Sequence, residues 1–445
     1  MNSHTDSSYR QLLRPLQLTA VVFFTVSGGP YGLEPVLQYV GGNVAIILIF
    51  LTPILWSLPA ILMVLELNGM MPKNGGYYQW VKSALGLKWG FFEGWWTWIF
   101  TFVDLAIYPV LFVQYLCFFM PEIEPYRLAI CLAIIWGAAA LNLLGIVPVG
   151  RSSVALGIAV LVPFVVLFVY AFTHLDSFSS STFHATPETF GGPAFAMGLF
   201  TVMWNYLGWD NSSSFVEEVD QPVRSYLVSI LAAFLLILGV YFIAIFTGTS
   251  TGMNAGVLQA EGFPSLGTHV GGWWLGALLS LGGMASALGL FLSILLAVSR
   301  IPKAMADDRI LPAAFSRMHP LHNVPHVSII VCAIVVSGMV MWTFADLLII
   351  DVTLYSAALS LEFVSLIVLR VQKPDAARPF RIPLNVRGLV VMAALPALCL
   401  VAALFGLLST AGVHTNAALF AIGAMLTGPL AWWVVARWRL NKAGE

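Results

Sequence analysis

The sequence predicts an all-α integral membrane protein of about twelve transmembrane helices, two of them interrupted. Three observations predict it. Of 445 residues, 59% are hydrophobic and 9% charged, with a mean hydropathy of +0.89, whereas a soluble domain carries about 25% charged residues. The apolar runs are long and continuous rather than alternating, which suits helices and excludes a β-barrel. The basic residues recur between alternate runs, the pattern of a chain threaded back and forth through a bilayer.

A hydrocarbon core of about 30 Å needs about 20 apolar residues per helix. On that ruler the spans fall at 16–40, 43–67, 90–119, 126–145, 150–173, 193–217, 226–250, 273–300, 326–345, 347–369, 388–409 and 414–436. With the amino terminus inside, the inner segments collect all but one of the 20 basic residues and leave only Arg127 outside. Both termini are therefore expected in the cytoplasm, and one missed span would scramble this alternation. The opening stretch lacks a small-residue cleavage site after a short apolar core and is read as a retained tail. The outer loop "THLDSFSSSTFHATPETFGG" has no basic residue.

Several classes are excluded or disfavoured. A formal net charge of -1 gives no reason to expect a nucleic-acid partner. The four cysteines lie within apolar runs and form no CxxC pair, so neither a disulfide framework nor a metal site is expected. No GxxxxGK[ST] motif is present, which argues against an ATP-driven pump. No Ser/His pair or metal constellation suggests an enzyme, and no cofactor is expected.

Span 1 is broken by "SGGPYG", Ser27 to Gly32, and span 6 by "NYLGWDNSS", Asn205 to Ser213. Paired interruptions opening two halves of a chain point to an inverted-repeat transporter holding its substrate at the midplane. Unwound backbone cannot face lipid, because each unsatisfied N–H or C=O costs several kcal/mol, so it must line a cavity. Gly28, Gly29 and Gly32 permit close approach to the main chain, and Pro30 suits the first position of a new half-helix. A half-helix start offers free N–H groups for a carboxylate.

Ionisable residues in the predicted spans are Glu34, Asp104, Asp210, Glu217, Glu218 and Glu362, with Glu66 and Asp351 nearer span ends. Each charge at a helix centre costs about 2.5–3.5 kcal/mol, and no Lys or Arg lies deep in a span to neutralise them. They are therefore protonated, or a cationic ligand supplies the missing charge. Asp210 is the leading candidate for an ammonium group, with Trp209 and Tyr206 adding cation–π contact. Glu217, Glu218 and Asp220 are expected to pair with basic residues such as Lys303 or Arg309 as an inner gate. The aromatic stretch "GFFEGWWTWIFTF" is read as interface anchoring.

At these residues the chain resembles the amino acid, polyamine and organocation transporter superfamily, close to its polyamine uptake and L-type amino acid branches. The marks are "VSGGPYGLE", "ELNGMMPKNGGYYQWV", "FVDLAIYPVLFVQYL", "WDNSSSFVEEVDQP", "SRIPKAMADDRILP" and "RPFRIP". The resemblance implies a five-plus-five inverted repeat with two extra helices, the halves falling at 1–173 and 174–370 and the extra helices at 371–445. By position it makes Ser27, Gly28, Gly29, Glu34, Asp104, Tyr108, Trp209 and Asp210 site residues and Glu218 a gate or coupling group. The sequence departs from the pattern at Glu217, where relatives have a small residue, and at Leu105, where they have a polar one. The plant pattern carries an acid near Ile294, and its loss weakens the polyamine expectation. The lysine some relatives place in helix 5 is also missing, so any coupling proton must ride on a carboxylate. The expected function is import of a small organic cation, a polyamine first and an amino acid second, across the cytoplasmic membrane. The proton is the expected coupling ion, carried on Asp210, Glu34 or Glu218.

Overall fold

The computed structural model describes residues 12–174, 192–340, 344–408 and 415–443; most of the expected outer loop after the fifth span lies outside these. Among the described residues there is no strand, only an isolated bridge between Leu13 and Val219. Among the described residues, nine helical stretches are long and apolar enough to cross a membrane, and three shorter apolar helices bring the total to the twelve expected.

Span 1 is built from two pieces. Helix α1 (Pro15–Val26) stops at Ser27, and α2 (Glu34–Thr52) starts after seven irregular residues. Pro35, not Pro30, occupies the first turn of the new helix, where its missing N–H costs nothing. At Gly41 the backbone leaves helical geometry, with φ +71°. Residues 34–40 therefore end span 1, and the remainder begins span 2, which passes through a π turn at Pro53–Ser57 into α3 (Leu58–Met70). The short α4 (Gly76–Leu85) precedes α5 (Leu87–Leu116), α6 (Arg127–Leu143) and α7 (Ile146–His174).

Span 6 repeats the break. Helix α8 (Gly192–Trp204) gives way to irregular chain and then to a 3-10 segment, Asn211–Glu218. Next come α9 (Pro222–Ser250), the short α10 (Ala255–Glu261) and α11 (Phe263–Gly271), and α12 (Trp273–Val298). The chain finishes with α13 (Arg300–Asp307), α14 (His326–Met339), α15 (Phe344–Gln372), α16 (Val386–Leu408) and α17 (Thr415–Ala443).

Burial separates the spans by role. The most apolar window of α12 is 83% buried and that of α5 72%, against 28% for α16 and 17% for α17. The first two helices thus carry interior chemistry, while α16 and α17 show Val391, Val401, Phe405 and Leu430 outward. The aromatic stretch on α5, expected to anchor the helix at the interface, is also engaged inside the bundle. Trp95 donates to Thr427 and Trp96 to the Met425 carbonyl, clamping α5 to α17, while Glu93 in its midst is wholly buried.

Candidate substrate-binding site

Two glycines show why span 1 breaks where it does. Gly28 and Gly32 have φ of +63° and +95°, a region that costs other residues roughly 1–2 kcal/mol. A Cβ on Gly28 would lie 2.5 Å from Leu290 of α12, and one on Gly32 would lie 2.7 Å from Trp204. Gly29 packs the same way on Val160. These residues let three helices close on the unwound chain; Gly28 and Gly29 themselves are outside the cavity lining.

The two breaks abut. Tyr241 of α9 donates to the Asn205 carbonyl at 2.6 Å and shares a 2.6 Å bond with the Ser27 hydroxyl, tying one unwound segment to the other. Most amides of the first break are already engaged. Gly28 N–H bonds the Phe23 carbonyl, Gly29 N–H the Ser27 hydroxyl at 3.0 Å, Gly32 N–H the Glu34 carboxylate at 2.5 Å and Leu33 N–H the Pro30 carbonyl.

Between the breaks and helices α5, α12 and α15 lies a narrow space of about 20 Å³, room for about one water molecule in this closed arrangement. Ser27, Phe100, Asp104, Tyr108, Trp204, Ile294, Asp351 and Tyr355 are among its lining. Asp104 accepts a 2.5 Å hydrogen bond from Tyr108, one turn along the same helix. The single N–H of the Trp204 indole lies beside both Asp104 and Asp351, which share the lining of this space. One Asp351 oxygen has no partner. No cation pairs with either acid among the described residues. Two unpaired carboxylates in a desolvated space either share protons or attract a cation.

A second group of acids sits beside the cavity. Asp210 accepts from the Tyr355 hydroxyl at 2.5 Å, and Glu362 and Glu93 are near enough to act on it electrostatically. A spacing of 11 residues separates Glu93 from Asp104 on α5 and Asp351 from Glu362 on α15, about three turns or some 16 Å in each case. The two helices run in opposite directions, so each acid meets its counterpart. Asp351 and Glu93 were not singled out from the sequence; this shared spacing is the signal that reveals them.

Other expected site residues lie elsewhere. Trp209 packs on Phe234, and Tyr206 donates to the Ile49 carbonyl, so neither ring is open to a cation in the cavity. Aromatic lining comes instead from Phe100, Tyr108, Trp204 and Tyr355. Glu34 caps the broken backbone and accepts from Tyr115 at 2.8 Å, away from the cavity on the face opposite the basic residues. Beside it Tyr31, Tyr115, Phe164 and Phe263 pack edge to face and cover that approach.

The basic face is closed as well. Glu218 pairs bidentately with Arg300, at 2.9 and 3.0 Å, rather than with Lys303 or Arg309. Lys303 turns to Asp307 on its own helix, a neighbour four residues away that needs no tertiary contact. Glu217 exchanges bonds with Asn74. Leu13 bonds the backbone on either side of Val219, and Glu66 binds both Arg370 and Arg378. Substrate in the cavity would be occluded from both sides.

Comparison with known proteins supplies the family. The amino acid permease family model matches residues 13–428. This chain belongs to the amino acid permease family. The permease is 32% identical to the polyamine transporter RMV1 of Arabidopsis thaliana, over 85% of this chain and 77% of that protein. It is 30% identical to the polyamine transporter PUT1 of Oryza sativa subsp. japonica, over 95% and 79%. An arginine/ornithine antiporter of Pseudomonas aeruginosa is 26% identical over 71% of this chain. The permease is accordingly a multi-pass membrane transporter, not an enzyme.

Proposed function

We propose that this permease imports a polyamine such as putrescine or spermidine across the cytoplasmic membrane by alternating access, driven by protons. The observation that carries the reading is the pair Asp104 and Asp351, converging in one cavity with no protein cation. An acid missing near Ile294 is made good from α15 rather than α12. A diammonium substrate brings the charge the pair lacks and needs no anion site of its own. An amino acid would also require donors for its carboxylate, and four amides of the first break are already bonded internally. The names of the plant relatives agree with this choice.

In this reading residues 1–173 and 174–370 are the two inverted halves, 371–445 adds two helices, and the basic face is cytoplasmic. Import begins as the aromatic cover over Glu34 parts. Asp104 and Asp351 take the ammonium groups, and Tyr108 and Trp204 hold the carboxylates in register. Release follows when α1 and the 3-10 segment swing away, breaking the Leu13–Val219 bridge and the Glu218–Arg300 pair. The first seal ties the two mobile segments to each other and the second ties the 3-10 segment to α13, so their rupture is the natural gate.

Uptake of labelled putrescine into proteoliposomes under an inward proton gradient tests the reading, with spermidine, arginine, leucine and alanine as competitors. Saturable uptake blocked by spermidine, and weakened by Asp351→Asn, is expected. Leucine or arginine transport without putrescine flux would establish an amino acid carrier instead.

A further inference from the structure

The transport reading places the substrate against Asp104 and Asp351 and leaves three buried acids without a task. Glu93 and Glu362 are 0% and 1% exposed, and Asp210 is 2% exposed. Asp210 and Glu362 are neighbours in this buried space, and two carboxyl groups so close and so desolvated cannot both be ionised, so the pair holds at least one proton. One oxygen of Glu93 and one of Glu362 lack any partner. A fourth group faces the cluster from another element. The Tyr77 hydroxyl of α4 is fully buried, has no hydrogen-bond partner and lies within electrostatic reach of Asp210, Glu93 and Glu362. It is an unused donor and acceptor near three acids.

Among the described residues, the surroundings supply no compensating cation. From α5 the cluster meets Thr97, which donates to Glu93; from α15 it meets Tyr355, which donates to Asp210. Lys82 on α4 is bound to Asp308. Arg370, about two turns beyond Glu362, is committed with Arg378 to Glu66 on α3. Three carboxylates so enclosed cannot all be ionised.

Position gives the cluster a direction. Tyr355 lines the substrate cavity and donates its hydroxyl proton to Asp210 on the far side, so a single phenol separates the two sites. Glu93 lies six residues, about 9 Å, from the basic-face end of α5. Tyr77 occupies the short helix whose next residue, Tyr78, bonds Asp308 at that face. The order is therefore cavity, Tyr355, acid cluster, Tyr77, basic face.

We propose that Glu93, Asp210 and Glu362 form the site of the coupling proton, loaded from the cavity through Tyr355 and emptied toward the basic face past Tyr77. The phenol passes its proton to Asp210 and takes one from the cavity, so that it is unchanged over a cycle; discharge regenerates the carboxylate. The proposal rests on the proton-driven reading above and deepens it by moving coupling off Glu34 and Glu218. Glu34 is spent on capping a backbone, and Glu218 on holding Arg300.

The test compares wild type with Glu93→Gln and Glu362→Gln in proteoliposomes, with membrane potential clamped. Counterflow exchange of putrescine needs no net proton movement; accumulation against a gradient does. Wild type gains on the order of tenfold accumulation per coupled proton per pH unit. The variants are expected to keep counterflow within about threefold of wild type while accumulation falls to simple equilibration. Substrate-induced proton uptake by the purified protein, read with a pH dye, should drop in parallel. Retained accumulation and proton uptake in both variants would overturn the assignment. So would joint loss of counterflow and accumulation in both, which would make the cluster part of binding or folding. If wild type moves putrescine without any proton, the proton-driven reading itself fails, and this proposal with it.

Discussion

Asp351→Asn keeps the size of a side chain that touches the cavity and removes its charge. A putrescine nitrogen seated about 4 Å from a carboxylate gains about 4 kcal/mol at an effective dielectric of about 20. Some of that is spent displacing the proton the pair shares when empty, and truncating a desolvated charge partner costs about 2–5 kcal/mol in practice. Taking about 3 kcal/mol, the dissociation constant for putrescine should rise on the order of 100-fold. Butylamine carries one ammonium group and can use Asp104 alone, so its affinity should change by less than about tenfold. Both constants can be read by competition against labelled putrescine in counterflow and by ligand-induced thermal shift of the purified protein. The divergence between diamine and monoamine is the decisive quantity. Equal losses for the two amines, or a putrescine constant unchanged within about threefold, would refute the assignment of Asp351 to the second ammonium group.

Four further outcomes are expected. Gly28→Ala should lower thermal stability by about 2–4 kcal/mol, combining a strained φ with a Cβ driven into Leu290, and Leu290→Ala should return the steric part but not the backbone part. Glu218→Gln leaves Arg300 buried and half paired, so the Leu13 and Asp220 amides that form the neighbouring bridge should exchange hydrogen roughly tenfold faster. Glu66→Gln strands two guanidinium groups and should cost about 3–5 kcal/mol of stability, visible as a lowered melting temperature, without altering putrescine affinity in the protein that remains folded. Ile294→Asp places a third carboxylate in the cavity lining and should shift preference from putrescine toward the trication spermidine by about tenfold, measured as a ratio of half-saturation constants.

The spans and their two breaks were legible because they are set by local chemistry. A lipid-facing segment must be apolar for about 20 residues, and a run of glycine and proline cannot stay helical anywhere. Pairing across the bundle was not legible in the same way. Glu218 was assigned to Lys303 or Arg309 because all lie on the inner face, yet α13 turns Lys303 to Asp307 and presents Arg300 from its first position. Trp209 and Tyr206 adjoin the second break and invited a cation–π role, but unwinding there rotates both rings into the packing of neighbouring helices. Asp351 looked peripheral because it lies four residues into the apolar run that starts at Leu347; packing of α15 against α5 brings it into the same lining as Asp104.

The sequence by itself determined an all-helical membrane protein, the number of its spans, the places where two of them unwind, and an excess of acid over base at depth. All of these follow from the cost of exposing peptide groups and charges to hydrocarbon, a cost each segment meets alone. Only the tertiary structure decided which acids share a space. Carboxylates on α5 and α15 are separated by some 250 residues of chain, and their meeting depends on two antiparallel helices packing in one register. That register turns scattered buried acids into one pair at the cavity and a separate cluster beside it.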